Sequence, residues 1–196
     1  MGCGFRDMTQ RALLISIFLI GSLAPCQTST LELRRETFRA SSGDRFSLDL
    51  PSGWKVDTQI GAGLAINTLR MVNTEATGVL LLSAIPGRES AGEKLEELEQ
   101  ILVSSARLQM QDSVERQVRA MSFNSKTAFG VYATLTDSRK PGSKLPLGEY
   151  RFSTTFVLNC SKRIVTVTFL SNEEPFESVE LAILILKTLR REEDQS

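Results

Sequence analysis

Hydrophobic and polar positions alternate with period two at several places along this chain, and with a helical period at two others. In residues 45–50, Phe46, Leu48 and Leu50 alternate with Ser47 and Asp49, the pattern of a strand with one buried face. Residues 37–40 supply a short partner strand across the turn Ser41-Ser42-Gly43-Asp44. Pro51-Ser52-Gly53 then breaks the pattern before Trp54 and Val56. Residues 69–72 and 78–85 (GVLLLSAI) read as two more strands, and the second is apolar throughout, which places it inside a sheet. Residues 114–120 and 128–136 read as strands too, the latter setting Phe129, Val131, Ala133 and Leu135 against Gly130, Tyr132 and Thr134. Residues 150–158 alternate Tyr150, Phe152, Phe156 and Leu158 with Arg151, Ser153 and Thr155. A tight turn at Cys160-Ser161-Lys162 leads into a strand over 164–170, and the two form a hairpin.

Two segments carry the helical period. Ser90 and Glu93 have the spacing of a capping box, in which each side chain satisfies a backbone donor at a helix start. Leu95, Leu98, Leu102 and Ala106 then recur at helical spacing, Ile101 widens the stripe, and Lys94, Glu96, Glu97 and Glu99 form a solvated face. A second helix starts near Pro175, a residue suited to a first helical turn. Val179, Ala182, Ile183, Leu186 and Leu189 form its stripe, and Leu181, Leu184 and Ile185 broaden it enough to predict a largely buried helix. The charged tail over 190–196 is expected to fray. No internal repeat or second domain is visible.

The first residues have a different pattern. Arg6 and Arg11 precede an uncharged run over 12–24 (ALLISIFLIGSLA), shorter than the roughly 20 apolar residues a membrane span needs. Basic start, short apolar middle and small residues after it match a secretory signal peptide over residues 1–26, with one domain over 27–196. Leu23-Ala24-Pro25-Cys26 resembles a lipoprotein box with Pro25 in place of the usual small residue. Ordinary cleavage after Cys26 puts Ala24 and Cys26 at the small-residue positions, so secretion and lipidation of Cys26 both stay open. Met1-Gly2-Cys3 departs from a myristoylation signal at Arg6. The expected location is the periplasm or cell envelope, free or anchored through the N-terminus.

Composition narrows the chemistry. A domain of this length buries roughly 70% of its unfolded surface and needs no staples. With Cys3 and Cys26 in the signal region, Cys160 is alone, which excludes an internal disulfide and fits a packed thiol. Lys and Arg total 23 and Asp and Glu total 23, with no basic stripe for phosphate binding, so nucleic acid is not an expected partner. Histidine is absent, which removes His-based triads, imidazole bases and most catalytic zinc sites. Only carboxylates remain to hold a metal, favouring calcium or magnesium, and Asp44 and Asp49 are too scattered to form such a site. No cofactor is expected.

A hairpin whose second strand ends in Pro-x-Gly-Trp (Pro51, Gly53, Trp54) resembles the Mog1/PsbP-like superfamily, including its exported bacterial PsbP-like, DUF1795-type domains. The order of strands, middle helix, antiparallel meander and closing helix extends the resemblance over residues 33–190. It implies an α+β fold, an α/β/α sandwich with a central antiparallel sheet, an N-terminal hairpin, a middle helix and a C-terminal helix. Members include a photosystem II extrinsic subunit, a regulator of the Ran GTPase and many exported bacterial proteins. The resemblance implies a non-enzymatic protein-binding or assembly module of the envelope. The alternative is a small-molecule or lipid carrier with a cleft between sheet and helix, and fold alone does not choose between them.

Other motifs weigh little. Ser52-Gly53-Trp54-Lys55 matches S-x-x-K, the nucleophile signature of penicillin-recognising enzymes, which needs a helix start that this strand end does not offer. Trp54 reads instead as a core or edge anchor. Gly61-Ala62-Gly63 lacks the rest of a phosphate loop, and Asn159-Cys160-Ser161 is only formally a glycosylation sequon. The connection over 137–148 (DSRKPGSKLPLG) is the candidate partner-binding loop, through Arg139, Lys140 and Lys144, because long ordered loops often carry function. Its composition equally fits a plain connection between strands.

Overall fold

The computed structural model describes residues 32–40, 43–60, 67–74, 77–85, 92–139, 145–146, 148–173 and 175–192. The chain clusters into two units, Met1–Thr30, which lies outside the described residues, and Leu31–Ser196, which holds everything below. Residues 1–26, expected to be a signal peptide, with Cys26 among them, and Lys140, Lys144 and the glycine pair at 61 and 63 also lie outside them.

Among the described residues, ten strands and two α-helices follow in order: β1 Leu33–Arg39, β2 Arg45–Pro51, β3 Trp54–Ile60, β4 Asn67–Asn73, β5 Gly78–Ala84, α1 Leu95–Ala106, β6 Met121–Asn124, β7 Ala128–Thr136, β8 Phe152–Cys160, β9 Arg163–Ser171, α2 Pro175–Leu186 and β10 Arg190–Glu192. Seven form one sheet in the order β3-β4-β5-β9-β8-β7-β6, every neighbouring pair antiparallel. The other three form a small sheet, β1-β2-β10. The fold is α+β, a sandwich built on a large antiparallel sheet.

Each face of the large sheet has its own core. On one, Leu98 and Leu102 of α1 pack with Val131 and Ala133 of β7, Val157 of β8 and Ile164 of β9. On the other, Phe156 and Leu158 of β8 and Val167 and Phe169 of β9 meet α2 through Ala182, Ile185 and Leu186, and meet the small sheet through Phe46, Leu48 and Leu50. Period-two alternation in β8 sends Phe156 and Leu158 to one core and Val157 to the other, so this strand is buried on both faces. Ser161 and Lys162, with φ of 50° and 65°, close the two-residue β8–β9 turn with the left-handed geometry that matches strand twist. The Pro51–Trp54 motif is the crossing between sheets. Pro51 ends β2, Trp54 opens β3 with its ring 6.5 Å from that of Phe169, and the Thr74 hydroxyl donates to the Gly53 carbonyl between them.

Four expectations need correction. The helix does not start at the expected Ser90–Glu93 box: Ser90 lies outside the described residues, and the N-cap is Lys94, without a side-chain cap. Gly92, two residues earlier, has φ of +86° and is packed so closely that a Cβ there would lie 2.8 Å from Leu98 Cδ2, so the chain cannot be helical through that point. The backbone N–H of Gly92 donates instead to Glu97 Oε2 at 2.8 Å. Residues 114–120 are not a strand. A 3-10 turn, Gln109–Asp112, occupies the chain after α1, Ser113 makes a single bridge to Asp137, Val114 is 59% exposed, and the strand begins only at Met121.

The tail is not frayed over its first residues. Arg190, Arg191 and Glu192 pair with Ser47, Phe46 and Arg45 as β10. Asp44, buried to 6% side-chain exposure, takes Arg163 Nε at 2.8 Å and Arg191 NH2 at 2.6 Å, tying the large sheet to the tail. Finally, α2 is less buried than its broad stripe predicts, since Leu184 is half exposed. Among the described residues no helix is long and apolar enough to cross a membrane.

Candidate functional site

A partly enclosed hollow lies at one end of the large sheet, where β7 leaves and β8 enters. Its construction follows from short backbone ties. Val114 N–H donates to Thr136 O at 2.9 Å and Ser138 N–H to Asp112 O at 2.8 Å, stitching the 3-10 turn to the end of β7. On the other side, Asp137 N–H donates to Arg151 O at 2.8 Å, and Arg151 N–H to Asn172 Oδ1 at 2.8 Å. Asn172 Nδ2 then donates to Glu149 O at 2.9 Å. The result is a cleft of about 180 Å³ whose wall includes Asp112, Asp137, Arg139, Tyr150, Arg151 and Ser153. That is room for one or two small polar groups rather than a drug-sized ligand, which takes about 300 Å³ or more.

Charge in the cleft is ordered. Arg139 donates to Asp137 through Nε and NH2, each at 3.1 Å, and pairs with Asp112 Oδ2 at 2.9 Å. The hydrogen bond to Asp137 and the charge of Asp112 hold its guanidinium above the ordinary arginine range. Its side chain is still 63% exposed, so the fork is positioned yet accessible. Glu115 stands behind the wall. Burial raises its pKa, but Ser113 Oγ at 2.5 Å, and Thr136 N–H and Oγ1 at 2.7 and 2.8 Å, outweigh that and hold it below the usual glutamate value. Arg151, half-buried, has its guanidinium carbon 5.3 Å from the centre of the Phe152 ring, and its Nε is buried without a hydrogen-bond partner.

No family model matches the chain. No curated protein matches it either. Two solved structures resemble it. One is a crystal structure from Bacteroides thetaiotaomicron, 17% identical with a TM-score of 0.47, covering 77% of this chain and 46% of that one, so this chain spans about half the length of that protein. The other is the solution structure of cyanobacterial PsbP (CyanoP) from Synechocystis, 13% identical with a TM-score of 0.49, covering 88% of this chain and all of that one. Both likenesses fall below the level at which a shared role follows.

Of the loop residues the sequence singles out, Arg139 is in the cleft, while Lys140 and Lys144 lie outside the described residues. Sequence reasoning missed Asp112, Glu115 and Arg151. Arg151 reads there as one more polar position of an alternating strand, and Glu115 sits in a segment mistaken for a strand. The remaining candidates are structural. Asp44 is held by two arginines and Asp49 by Arg35 at 3.0 Å, so neither offers a carboxylate to calcium. Among the described residues no group of three or more cysteine, aspartate and glutamate side chains could hold a metal ion. Ser52 lies in the β2–β3 turn and Lys55 is exposed on β3, so no helix presents them as a nucleophile and its base. Asn159 is buried, its Nδ2 donating to Gly92 O at 2.9 Å and its Oδ1 accepting from Lys162 N–H at 3.0 Å, which takes the sequon out of reach of a glycan. Burial pushes the Cys160 thiol up to about 11, against the pull of Arg191, which makes it a packed, unreactive group.

Proposed function

We propose that this chain is an exported, non-enzymatic, Mog1/PsbP-like module that binds another protein in the cell envelope and serves its assembly or maintenance. The observation that carries this reading is the cleft at the sheet end. A pre-ordered Arg139 fork stands exposed on a rim stitched by backbone bonds to two strands and the exit of α1, a rigid platform for polar contacts. The carrier alternative asks for a deep apolar cleft between sheet and helix. Among the described residues, both helix–sheet interfaces are filled by buried side chains, Leu98 and Leu102 on one face and Ala182, Ile185 and Leu186 on the other, which favours the partner-binding reading. The N-terminal segment supplies the address, either as a cleaved signal or through a lipid on Cys26.

The test is affinity capture of tagged full-length protein from its native envelope, with mass spectrometry, alongside a variant in which residues 140–147 are replaced by a short glycine-serine link. A stoichiometric protein partner lost with the loop supports the reading. A protein that carries only lipid or a small metabolite overturns it in favour of the carrier.

A further inference from the structure

Resting on the partner-binding reading, we propose that the cleft takes a carboxylate side chain from an acidic, partly apolar segment of the partner, with Arg151 as the pairing cation and Arg139 as the rim contact. The two arginines of the wall are not equivalent. Arg139 is already neutralised by Asp112 and Asp137, so it can add a hydrogen bond but little net charge. Arg151 makes no ion pair with any described carboxylate, and its one buried nitrogen, Nε, finds no acceptor. An arginine held half-buried in a cleft wall with no carboxylate partner among the described residues is an incomplete arrangement, because cations out of water are normally matched by an acceptor.

Other charges near the wall do not fill that role. Asp112 and Asp137 are taken by Arg139, and Glu115 is turned to Ser113 and Thr136. The planar guanidinium selects a carboxylate, which it can grip with two parallel N–H bonds. The volume, about 180 Å³, suits a single aspartate or glutamate side chain. Two exposed apolar residues bracket the 3-10 turn that forms one wall, Leu108 at 77% and Val114 at 59% exposure. They give a partner segment apolar contact on either side of its acidic residue.

The probe is the acetylated, amidated peptide Leu-Glu-Glu-Leu, compared with Leu-Gln-Gln-Leu, titrated into the full-length protein while the arginine Nε–H resonances are followed by NMR. Saturable movement of the Arg151 signal with the glutamate peptide, and none with the glutamine peptide, is the expected result. Arg151→Gln should weaken that binding about tenfold or more, the scale of a lost charge-assisted pair. Equal response to both peptides, or no saturable response of Arg151 in the wild type, overturns the proposal without needing any variant. Binding unchanged in Arg151→Gln with a native-like spectrum overturns it as well. A partner captured from the envelope equally well by wild type and Arg151→Gln contradicts the carboxylate site and leaves the partner-binding reading standing, so the two fail separately.

Discussion

Replacing Asp44 by asparagine should be among the most damaging single changes outside the hydrophobic core. Its carboxylate, 6% exposed, joins Arg163 at the start of β9, itself 12% exposed, to Arg191 of β10, which is 34% exposed. Asparagine keeps the shape and removes the charge, leaving the Arg163 guanidinium buried beside a neutral group. Breaking a buried pair from one side costs about 3–5 kcal/mol, and the lower end applies because Arg191 can turn to water. In a chain of this size a loss of about 3 kcal/mol lowers Tm by about 10 °C. Urea unfolding followed by circular dichroism, with the slope unchanged, measures it. The double variant Asp44→Asn with Arg163→Met should recover much of the loss, since an apolar replacement leaves no charge stranded. A loss below about 1 kcal/mol, the range of exposed pairs, would refute the claim that this tie is buried and structural.

Three further outcomes follow from the packing and hydrogen bonding of single residues. Glu115→Gln should destabilise by about 1 kcal/mol at neutral pH, the scale of lost hydrogen bonds to a partly exposed carboxylate. Because the folded-state pKa is lowered, the wild type's advantage is present above the ordinary glutamate pKa and should vanish as pH falls through the folded value, which paired melts at several pH values would reveal. Cys160, raised to about 11 from 9.0, should resist thiol reagents at pH 8 until the protein unfolds, and stability should fall between those two pH values as the unfolded thiol alone loses its proton. Gly130→Ala should cost about 3 kcal/mol or more and leave little soluble protein on expression, because the added Cβ would stand 2.1 Å from the Val157 carbonyl oxygen.

What the pattern of residues reveals about this fold depends on whether burial or a distant partner determines each element. Strand β7 lies over residues 128–136 as its alternation predicts, β8 and β9 are found within two residues of expectation, and α2 starts at Pro175 as expected but ends at Leu186, short of the Leu189 its stripe includes. Strand β10 is illegible in Arg190-Arg191-Glu192. Those side chains hold it through groups far away in the chain, Asp44 for Arg191 and Ser47 for both Arg190 and Glu192. The same reason hides Arg151, whose interest lies in having no carboxylate partner among the described residues, in a cleft lined from four separate stretches of the chain. The expected helix start is displaced to Lys94, because Gly92 has a φ of +86° that no helix accommodates. Residues 114–120 carry a weak period, but Val118 alone is drawn toward the α1 core while Val114 faces water.

The most direct test of the partner-binding reading is site-specific photo-crosslinking in the native envelope, with a benzophenone side chain placed at Arg139 on the cleft rim or at Val103 on the outer face of α1. A discrete protein adduct from position 139 that is absent from position 103 is the predicted result. An adduct from position 103 with none from position 139 would contradict it and move the functional surface to the opposite element.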